Sequence, residues 1–436
     1  MAKSRVKYLS IGNSAGSIGA AEAIRKVDKS GLIALVSDEP YPAYSRPLIS
    51  EHLAEGRPLE RMLFRSVDFY AHNNIRTFLG KNVARLNVDE HTIELEEGID
   101  IAWEKLLLAT GGLPIVPQIE GIERQGVFAF ITLDDAKAID EFLGQHPKRK
   151  ARAVVIGGGL IGVSVTEALM KRGMDVAVVE MKERILNTIL DEEASALEED
   201  ILRQAGVSII TDHTVAKINS YSDDAVTSVT LDNGRPIPCD LVIIAIGVQP
   251  RTELAVGTEI KINRGIVVDR YMATSYPDVF ACGDVAEAYD FVYDENRLTP
   301  IWPNAYLEGR TAGLNMAGIP TKYEGGTAMN SLKCFGLDVV SAGMVNPIND
   351  SYEVISQHHD RTYHKVILKD GIVVGMVFVG NIEKSGVVFS LMKDKVNAEN
   401  FKQALVAEDF GLVSIPEEIW RPRLEVPSLA GVVGED

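Results

Sequence analysis

The chain has 436 residues, 46% of them hydrophobic and 24% charged, with a formal net charge of −18. That length exceeds one ordinary core and predicts two or three domains. The acidic balance excludes the basic footprint of a nucleic-acid binder or of a protein that docks on an anionic membrane. No apolar run reaches the ~18 residues of a membrane span. The short apolar stretch after the basic N-terminus leads straight into a glycine turn, so the cytoplasm is the expected location.

In chain order, Tyr8 to Arg25 reads as a strand that turns at Gly12 into an alanine-rich helix, and an apolar strand, Leu32 to Val36, follows. Pro114 and Pro117 mark a boundary, succeeded by a helix from Asp134 to Phe142 and a basic link at Lys148, Arg149 and Lys150. A second strand–turn–helix opening runs from Ala153 to Leu169, about 145 residues after the first, with its next strand at Asp175 to Val179. Strand–helix–strand at this spacing predicts right-handed parallel crossovers. A further boundary follows Pro250. From about residue 326 the pattern changes: Tyr363 to Leu368 and Ile372 to Val379 flank Lys369-Asp370-Gly371, a hairpin signal, and predict a small α+β domain. The tail, Arg421 to Asp436, shows no periodicity and is expected as an extended arm.

The second opening carries Gly157, Gly159 and Gly162 in the complete G-x-G-x-x-G form, with Glu180 at the end of the following strand. Glycines at these places let backbone N–H groups and a helix N-terminus approach a pyrophosphate, and the acid accepts both ribose hydroxyls. A 2′-phosphate would be repelled by Glu180, so NADH is favoured over NADPH. The first opening is degenerate: after Gly12, Ser14 and Ser17 stand where the other glycines would be. Three distant segments support it. Leu106 to Gly112 is an apolar strand ending in Ala109-Thr110-Gly111; Asp240 to Gly247 is its counterpart in the second half; Thr274 to Asp284 ends a strand with an aspartate placed for a ribityl hydroxyl.

With these motifs in this order, nearly the whole chain resembles the FAD-dependent pyridine nucleotide–disulfide oxidoreductase superfamily. It is most similar to the branch of NADH:rubredoxin and ferredoxin reductases, CoA-disulfide reductases, NADH oxidases and the flavin part of nitrite reductase. The resemblance implies an α/β fold with two Rossmann-like, glutathione-reductase-like domains that bind FAD and NAD, plus a C-terminal α+β domain. It divides the chain into a first FAD segment (1–116), an NAD domain (117–270), a second FAD segment (271–325) and a C-terminal interface domain with its tail (326–436). By resemblance, Gly12, Ser14 and Ser17 match the FAD pyrophosphate loop and Asp284 the flavin-chain aspartate. Asp38 or Glu39 would hold the adenosine ribose. Arg46 would be the pyrophosphate cation, with Pro47 stiffening its loop. Trp302 would open a helix directed at the pyrimidine end of the flavin.

What is missing bears on the electron acceptor. The family's single redox cysteine maps onto Ser45, the histidine of the peroxidase members onto Ala15, and no C-x4-C pair follows the first motif. A hydroxyl forms neither a disulfide nor a sulfenic acid. Ser164 departs from the Glu or Lys common near the nicotinamide in relatives. Cys239, Cys282 and Cys334 lie far apart, which argues against a zinc or iron–sulfur site; Cys282 and Cys334 read as buried structural residues. The local histidine cluster, His358, His359 and His364, has no convincing partner ligands.

The expected function is therefore electron transfer between NAD(H) and an external iron–sulfur carrier or enzyme subunit. The chain would act as a homodimer or as a subunit of a larger complex. The alternatives are an NADH oxidase or reductase of a small acceptor, and a non-catalytic flavin-binding scaffold or redox sensor. Because ferredoxins are also acidic, docking calls for a local basic patch, for which Lys393, Lys395, Arg421 and Arg423 are candidates.

Overall fold

A computed structural model describes residues 4–146, 150–220 and 225–424. Its contacts divide the chain into two compact units, one of residues 1–188 and 198–329, the other of residues 189–197 and 330–436.

The first unit begins with β1 (Ser4–Ile11), α1 (Ala15–Val27) and β2 (Ile33–Ser37), then the short helices α2 (Ile49–Glu55) and α3 (Phe69–His72). Four strands follow: β3 (Ile75–Leu79), β4 (Val83–Asn87), β5 (Thr92–Leu95) and β6 (Asp100–Leu108). The sheet order is β3-β2-β1-β6-β5-β4. The early part of β6 pairs antiparallel with β5, while its last residues, Leu106–Leu108, pair in parallel with a strand from far downstream. All five residues of β2 are buried, as suits a strand with both faces covered. The chain runs outward from β1 through β2 to β3 and returns on the other side at β6. The carboxyl ends of β1 and β6 therefore frame a topological switch point, where open α/β sheets bind ligands.

After β7 (Gly112–Pro114) and β8 (Val127–Ala129) comes α4 (Leu133–Gln145), opened by a capping box in which Thr132 accepts from Asp135 N–H and Asp135 from Thr132 N–H. The design then repeats: β9 (Arg152–Ile156), α5 (Leu160–Lys171), β10 (Asp175–Val179), α6 (Glu192–Gln204) and β11 (Ser208–Ile210). A three-stranded antiparallel sheet, β12 (Val215–Ser220), β13 (Val226–Leu231) and β14 (Pro236–Pro238), precedes β15 (Leu241–Ile244) and β16 (Val248–Pro250). The parallel sheet is ordered β11-β10-β9-β15-β8, so β9 and β15 frame a second switch point. The ribbon β7–β16 joins the two halves, with Gly247 at its start.

Beyond β17 (Ile266–Val267), β18 (Val279–Ala281) is the downstream partner of β6. A small sheet of β17, β19 (Ala286–Asp290) and β20 (Glu295–Leu298) leads to α7 (Trp302–Met316). Helices α1 and α7 cross with their backbones nearly touching. A side chain at Gly309 would collide with the Gly16 carbonyl, one at Gly313 with Ala20, and one at Gly19 with the Tyr306 carbonyl. Dispersion between such closely packed backbones replaces the side-chain knobs that normally hold helices 8–10 Å apart.

In the second unit, β21 (Met329–Cys334), β22 (Leu337–Gly343), β23 (Glu353–His359), β24 (Thr362–Lys369) and β25 (Ile372–Val379) form an antiparallel sheet ordered β21-β22-β25-β24-β23, followed by α8 (Ser385–Lys393). The hairpin read at Lys369–Gly371 forms, with Asp370 (φ 51°) and Gly371 (φ 76°) both left-handed as a type I′ turn requires. The buried Lys365 ammonium and the Tyr363 hydroxyl both donate to Asp191, each at 2.7 Å. One expectation is corrected here. The chain from Arg421 is not extended at its start, because Glu417–Leu424 is a helix, α9, with an i,i+4 pair from Arg421 to Glu417 at 2.8 Å. The rest of the expected arm, 425–436, lies outside the described residues, as do Lys148 and Arg149 of the basic link and the side chain of Arg423. Lys150 pairs with Asp175 at 2.6 Å.

The crossing of α1 and α7 leads to a stability prediction. Gly309→Ala forces a methyl into the Gly16 carbonyl and should cost about 2–3 kcal/mol, lowering the melting temperature by several degrees. Thermal unfolding of the purified variant checks it; an unchanged transition contradicts the packing described.

Candidate functional site

At the first switch point, three segments distant in sequence meet. Gly12 (φ 124°) lies against the Ala109 carbonyl, in the space a side chain would need. The strand ends are stitched together: Gly12 N–H donates to Val36 O at 2.7 Å, Ala109 N–H to Ile11 O at 2.9 Å and Cys282 N–H to Leu108 O at 3.1 Å. Ser14 is the N-cap of α1, but its hydroxyl makes no capping bond, and the first intrahelical bond is Ile18 N–H to Ser14 O. The amides before it thus form a helix N-terminus suited to an anion. Ser17 is fully buried, its hydroxyl 2.8 Å from that of Ser10 on β1. Its side chain fits because Ser10 partners the hydroxyl, whereas the tight glycine position is displaced to Gly16, which faces the Cys282 sulfur.

The acidic and basic groups of this half converge. Gly12 bonds to Val36 as Gly157 bonds to Val179, so Ser37, not an acid, stands at the place of Glu180. Of the two acids left open by the sequence, Glu39 is engaged by the Tyr44 hydroxyl (2.5 Å) and by the Arg46 guanidinium. Asp38 accepts from Arg251 at 2.5 Å. Burial works against its ionisation most strongly, but the Arg251 hydrogen bond and charge outweigh it and hold the carboxyl below its usual range. Arg46 also donates to the Ile131 carbonyl at 3.2 Å. Burial works against its charge too, but the carboxylates of Glu39, Asp38 and Asp284 keep it protonated. Pro47 is exposed, in the 3-10 turn Arg46–Leu48. Thr110 donates to the Arg251 carbonyl at 2.7 Å, and Arg251 N–H returns to Gly111 O at 2.9 Å.

Asp284 sits in a 3-10 turn, Gly283–Val285, just past β18. Burial raises its carboxyl above the usual range, with Arg46 opposing. Trp302 opens α7, with Pro303 in its first turn, and packs edge-on against Phe64 at 4.1 Å. Its indole Nε1 is buried and without a hydrogen-bond partner among the described residues. An orphaned donor, an uncapped helix N-terminus and a loop that excludes side chains together fit a polar, anionic ligand lying across the carboxyl ends of β1 and β6.

The second switch point is the more regular. Gly157 (φ 106°) lies against the Ala245 carbonyl, and a side chain at Gly162 would strike Gly157 O. Open space faces Gly159, the N-cap of α5. This is the cradle a pyrophosphate requires: close strand–helix packing behind, free backbone in front. Glu180 is buried and oriented by two backbone donors, Gly158 N–H at 2.7 Å and Lys182 N–H at 2.9 Å. Gly247 (φ 119°) accepts from Ile115 N–H at 3.0 Å, closing the ribbon β7–β16.

No redox thiol faces either site. Ser45 donates its N–H to Met62 O at 2.8 Å. Cys239, Cys282 and Cys334 are all buried and none is in a disulfide. Burial pushes the Cys239 thiol up to about 12 and the Cys282 thiol well above the ordinary range. No group of His, Cys, Asp and Glu among the described residues is arranged to hold a metal ion, and none of their helices is long and apolar enough to cross a membrane. Three residues that bear on the site were not singled out in the sequence: Arg251, Tyr44 and Glu308. Arg251 meets Asp38, 213 residues away, Tyr44 meets Glu39 and Leu133, and Glu308 meets Gly283, partners that only the fold brings together.

A family profile described as pyridine nucleotide-disulphide oxidoreductase matches residues 6–309, and one described as rubredoxin NAD+ reductase C-terminal domain matches residues 329–396. The chain is 31% identical over 422 residues to the NADH-dependent phenylglyoxylate dehydrogenase subunit epsilon of Aromatoleum evansii, covering 95% of this chain and 98% of that one. It is 28% identical to the NADH-rubredoxin oxidoreductase of Clostridium acetobutylicum, covering 84% and 90%. The solved putidaredoxin reductase–putidaredoxin complex superposes with a TM-score of 0.85 at 26% identity, covering 97% of this chain and all of that one. The chain spans about half the length of some other curated relatives it matches. The chain belongs to the pyridine nucleotide-disulphide oxidoreductase family, and its cofactors are FAD and NAD(H).

Proposed function

We propose that this chain moves electrons between NAD(H) and an external iron–sulfur carrier or iron–sulfur enzyme subunit, with no thiol of its own in the path. One observation carries this reading: two glycine-lined strand–turn–helix openings lie at the switch points, yet every cysteine is buried, and the family resemblance sets Ser45 at the redox-cysteine place. The names of its relatives, a rubredoxin oxidoreductase, a putidaredoxin reductase and a dehydrogenase subunit, support the choice of partner. We assign residues 1–116 and 271–325 to the FAD half, 117–270 to the NAD domain and 326–436 to an interface domain, with the cytoplasm as the location and a homodimer or larger complex as the working assembly.

In this reading Gly12, Ser14 and Ser17 hold the FAD pyrophosphate, with Arg46 as its counter-charge and Asp284 on the ribityl chain. Asp38 or Glu39 takes the adenosine ribose; the first is engaged by Arg251, the second by Tyr44 and Arg46. Ala109, Thr110 and Gly111 form the floor, with Trp302 at the ring end. Gly157, Gly159, Gly162, Glu180 and Gly247 hold NAD(H). Bound FAD supplies the hydride and single-electron chemistry that no side chain offers. The protein's part is to align the two cofactors and keep water out. Arg46, Arg251 and the helix N-termini hold the anions, while the packed strand ends exclude solvent.

Two predictions follow from these roles. Anaerobic mixing of the purified protein with NADH and either ferredoxin or rubredoxin should reduce the carrier, and treating the native protein with a thiol-alkylating reagent should leave the rate unchanged, since all three cysteines are buried. Rapid oxygen consumption with neither carrier reduced would instead favour an oxidase. For Glu180→Gln, which keeps the Gly158 acceptor but removes the charge, the ratio of kcat/KM for NADPH over NADH should rise about 10- to 100-fold, equivalent to ~1.4–2.7 kcal/mol of relieved repulsion. An unchanged ratio removes Glu180 from the specificity argument.

A further inference from the structure

Helix α7 carries a glutamate, Glu308, beside Gly309, in the stretch that crosses α1. It is 2% exposed. Among the described residues its carboxyl has two partners. Gly283 N–H donates to Oε2 at 2.7 Å, and the Tyr323 hydroxyl stands 3.5 Å from Oε1, a long contact. Among the described residues no basic side chain forms an ion pair with it. A carboxylate so placed lacks the donors that would offset its burial, so the neutral acid is the favoured form.

The partner that Glu308 does hold is informative. Gly283 (φ 75°) begins the turn whose next residue is Asp284, the candidate for the flavin chain. The surroundings set which acid carries the charge. Asp284, on the same turn, is stabilised as an anion by Arg46, while Glu308 has only neutral neighbours and the nearby negative charge of Asp284. From the strand end, the Cys282 thiol faces the same space. From the segment after α7 comes Tyr323, itself near Asp290 and Arg270. The α1 face brought against α7 contributes Gly16 and Ala20, which carry no titratable side chain, and Glu22, which is engaged by the Tyr306 hydroxyl and by Arg65. Two carboxyls in one dry space cannot both ionise cheaply, so the proton belongs on Glu308 and the charge on Asp284.

We propose that Glu308 is a positioning residue of the flavin site: its carboxyl, by taking the Gly283 N–H, fixes the turn that presents Asp284 and so governs how tightly the chain holds FAD. This rests on the reading of Asp284 as a flavin ligand. It has a consequence for pH. Burial pushes the Glu308 carboxyl up to about 8, with the Gly283 N–H opposing and the Asp284 charge adding to the rise. Below that value Glu308 is neutral and the turn is held. As pH rises through it, a second negative charge appears beside Asp284, and the turn loosens.

The test is the rate at which diluted holoprotein releases FAD, followed by the return of free-flavin fluorescence from pH 6 to 10. In the wild type, release should quicken about tenfold or more between pH 7 and 10. Glu308→Gln, which still accepts the Gly283 N–H but cannot ionise, should release FAD slowly and at a rate flat across that range. Glu308→Leu, which lacks the acceptor, should release it about tenfold faster at pH 7. Wild-type-like release from Glu308→Leu, or the same alkaline rise in Glu308→Gln, overturns the inference. The underlying reading is judged separately by Asp284→Ala: if it holds FAD as the wild type does, or if the wild type binds no FAD, the assignment of Asp284 fails first and the role of Glu308 falls with it.

Discussion

The structure depends on one steric constraint that occurs twice. At Gly12 and again at Gly157, a carbonyl oxygen of a neighbouring strand end, Ala109 or Ala245, occupies the space of a missing side chain. Only glycine permits that approach, and only with the positive φ both residues adopt. The approach seats a helix N-terminus directly over the carboxyl ends of two parallel strands, on either side of a switch in strand order. Each site inherits its anion-binding character from that placement. Substituting either glycine would separate strand from helix and remove the cradle and its dipole together.

The two halves then diverge in how they handle charge. The site around Gly157 is spare: one acid, Glu180, is held by backbone amides and is the group we assign to a ribose. The site around Gly12 is crowded with carboxyls, Asp38, Glu39, Asp284 and Glu308, served by the two guanidinium groups of Arg46 and Arg251. The four divide accordingly: Asp38 is paired with Arg251 and Glu39 with Arg46, Asp284 feels the Arg46 charge, and buried Glu308 lies where the neutral acid is favoured. With a net charge of −18, docking of an acidic carrier would call for a local basic patch. Arg421, one candidate for it, is already paired with Glu417.

Much of this was legible in the sequence where the signal is local. Gly157, Gly159, Gly162 and Glu180 sit at fixed spacing because strand, turn and helix are consecutive, and Asp370-Gly371 declared its hairpin for the same reason. Ser17 was legible only as a departure, since the Ser10 hydroxyl that accommodates it becomes a neighbour through the sheet. Asp38 and Glu39 looked alike in the sequence, because the groups that engage them, Arg251 on one and Tyr44 and Arg46 on the other, reach them only through the fold. Glu308 was invisible for a related reason. In sequence it is a charge on a helix, and only the crossing of α1 and α7 shows that the charge is buried. The start of the tail reads as extended because the eight-residue helix α9, about two turns long, is too short to leave a periodicity to detect.

The central claim is that the flavin is the last redox group on this chain. An anaerobic reductive titration of the purified protein, followed through the flavin absorbance, counts the electrons each chain accepts. Full reduction at two electrons per bound FAD is the expected result. Uptake of four, with a long-wavelength band as a thiolate meets oxidised flavin, would place a redox disulfide on the chain and contradict the account.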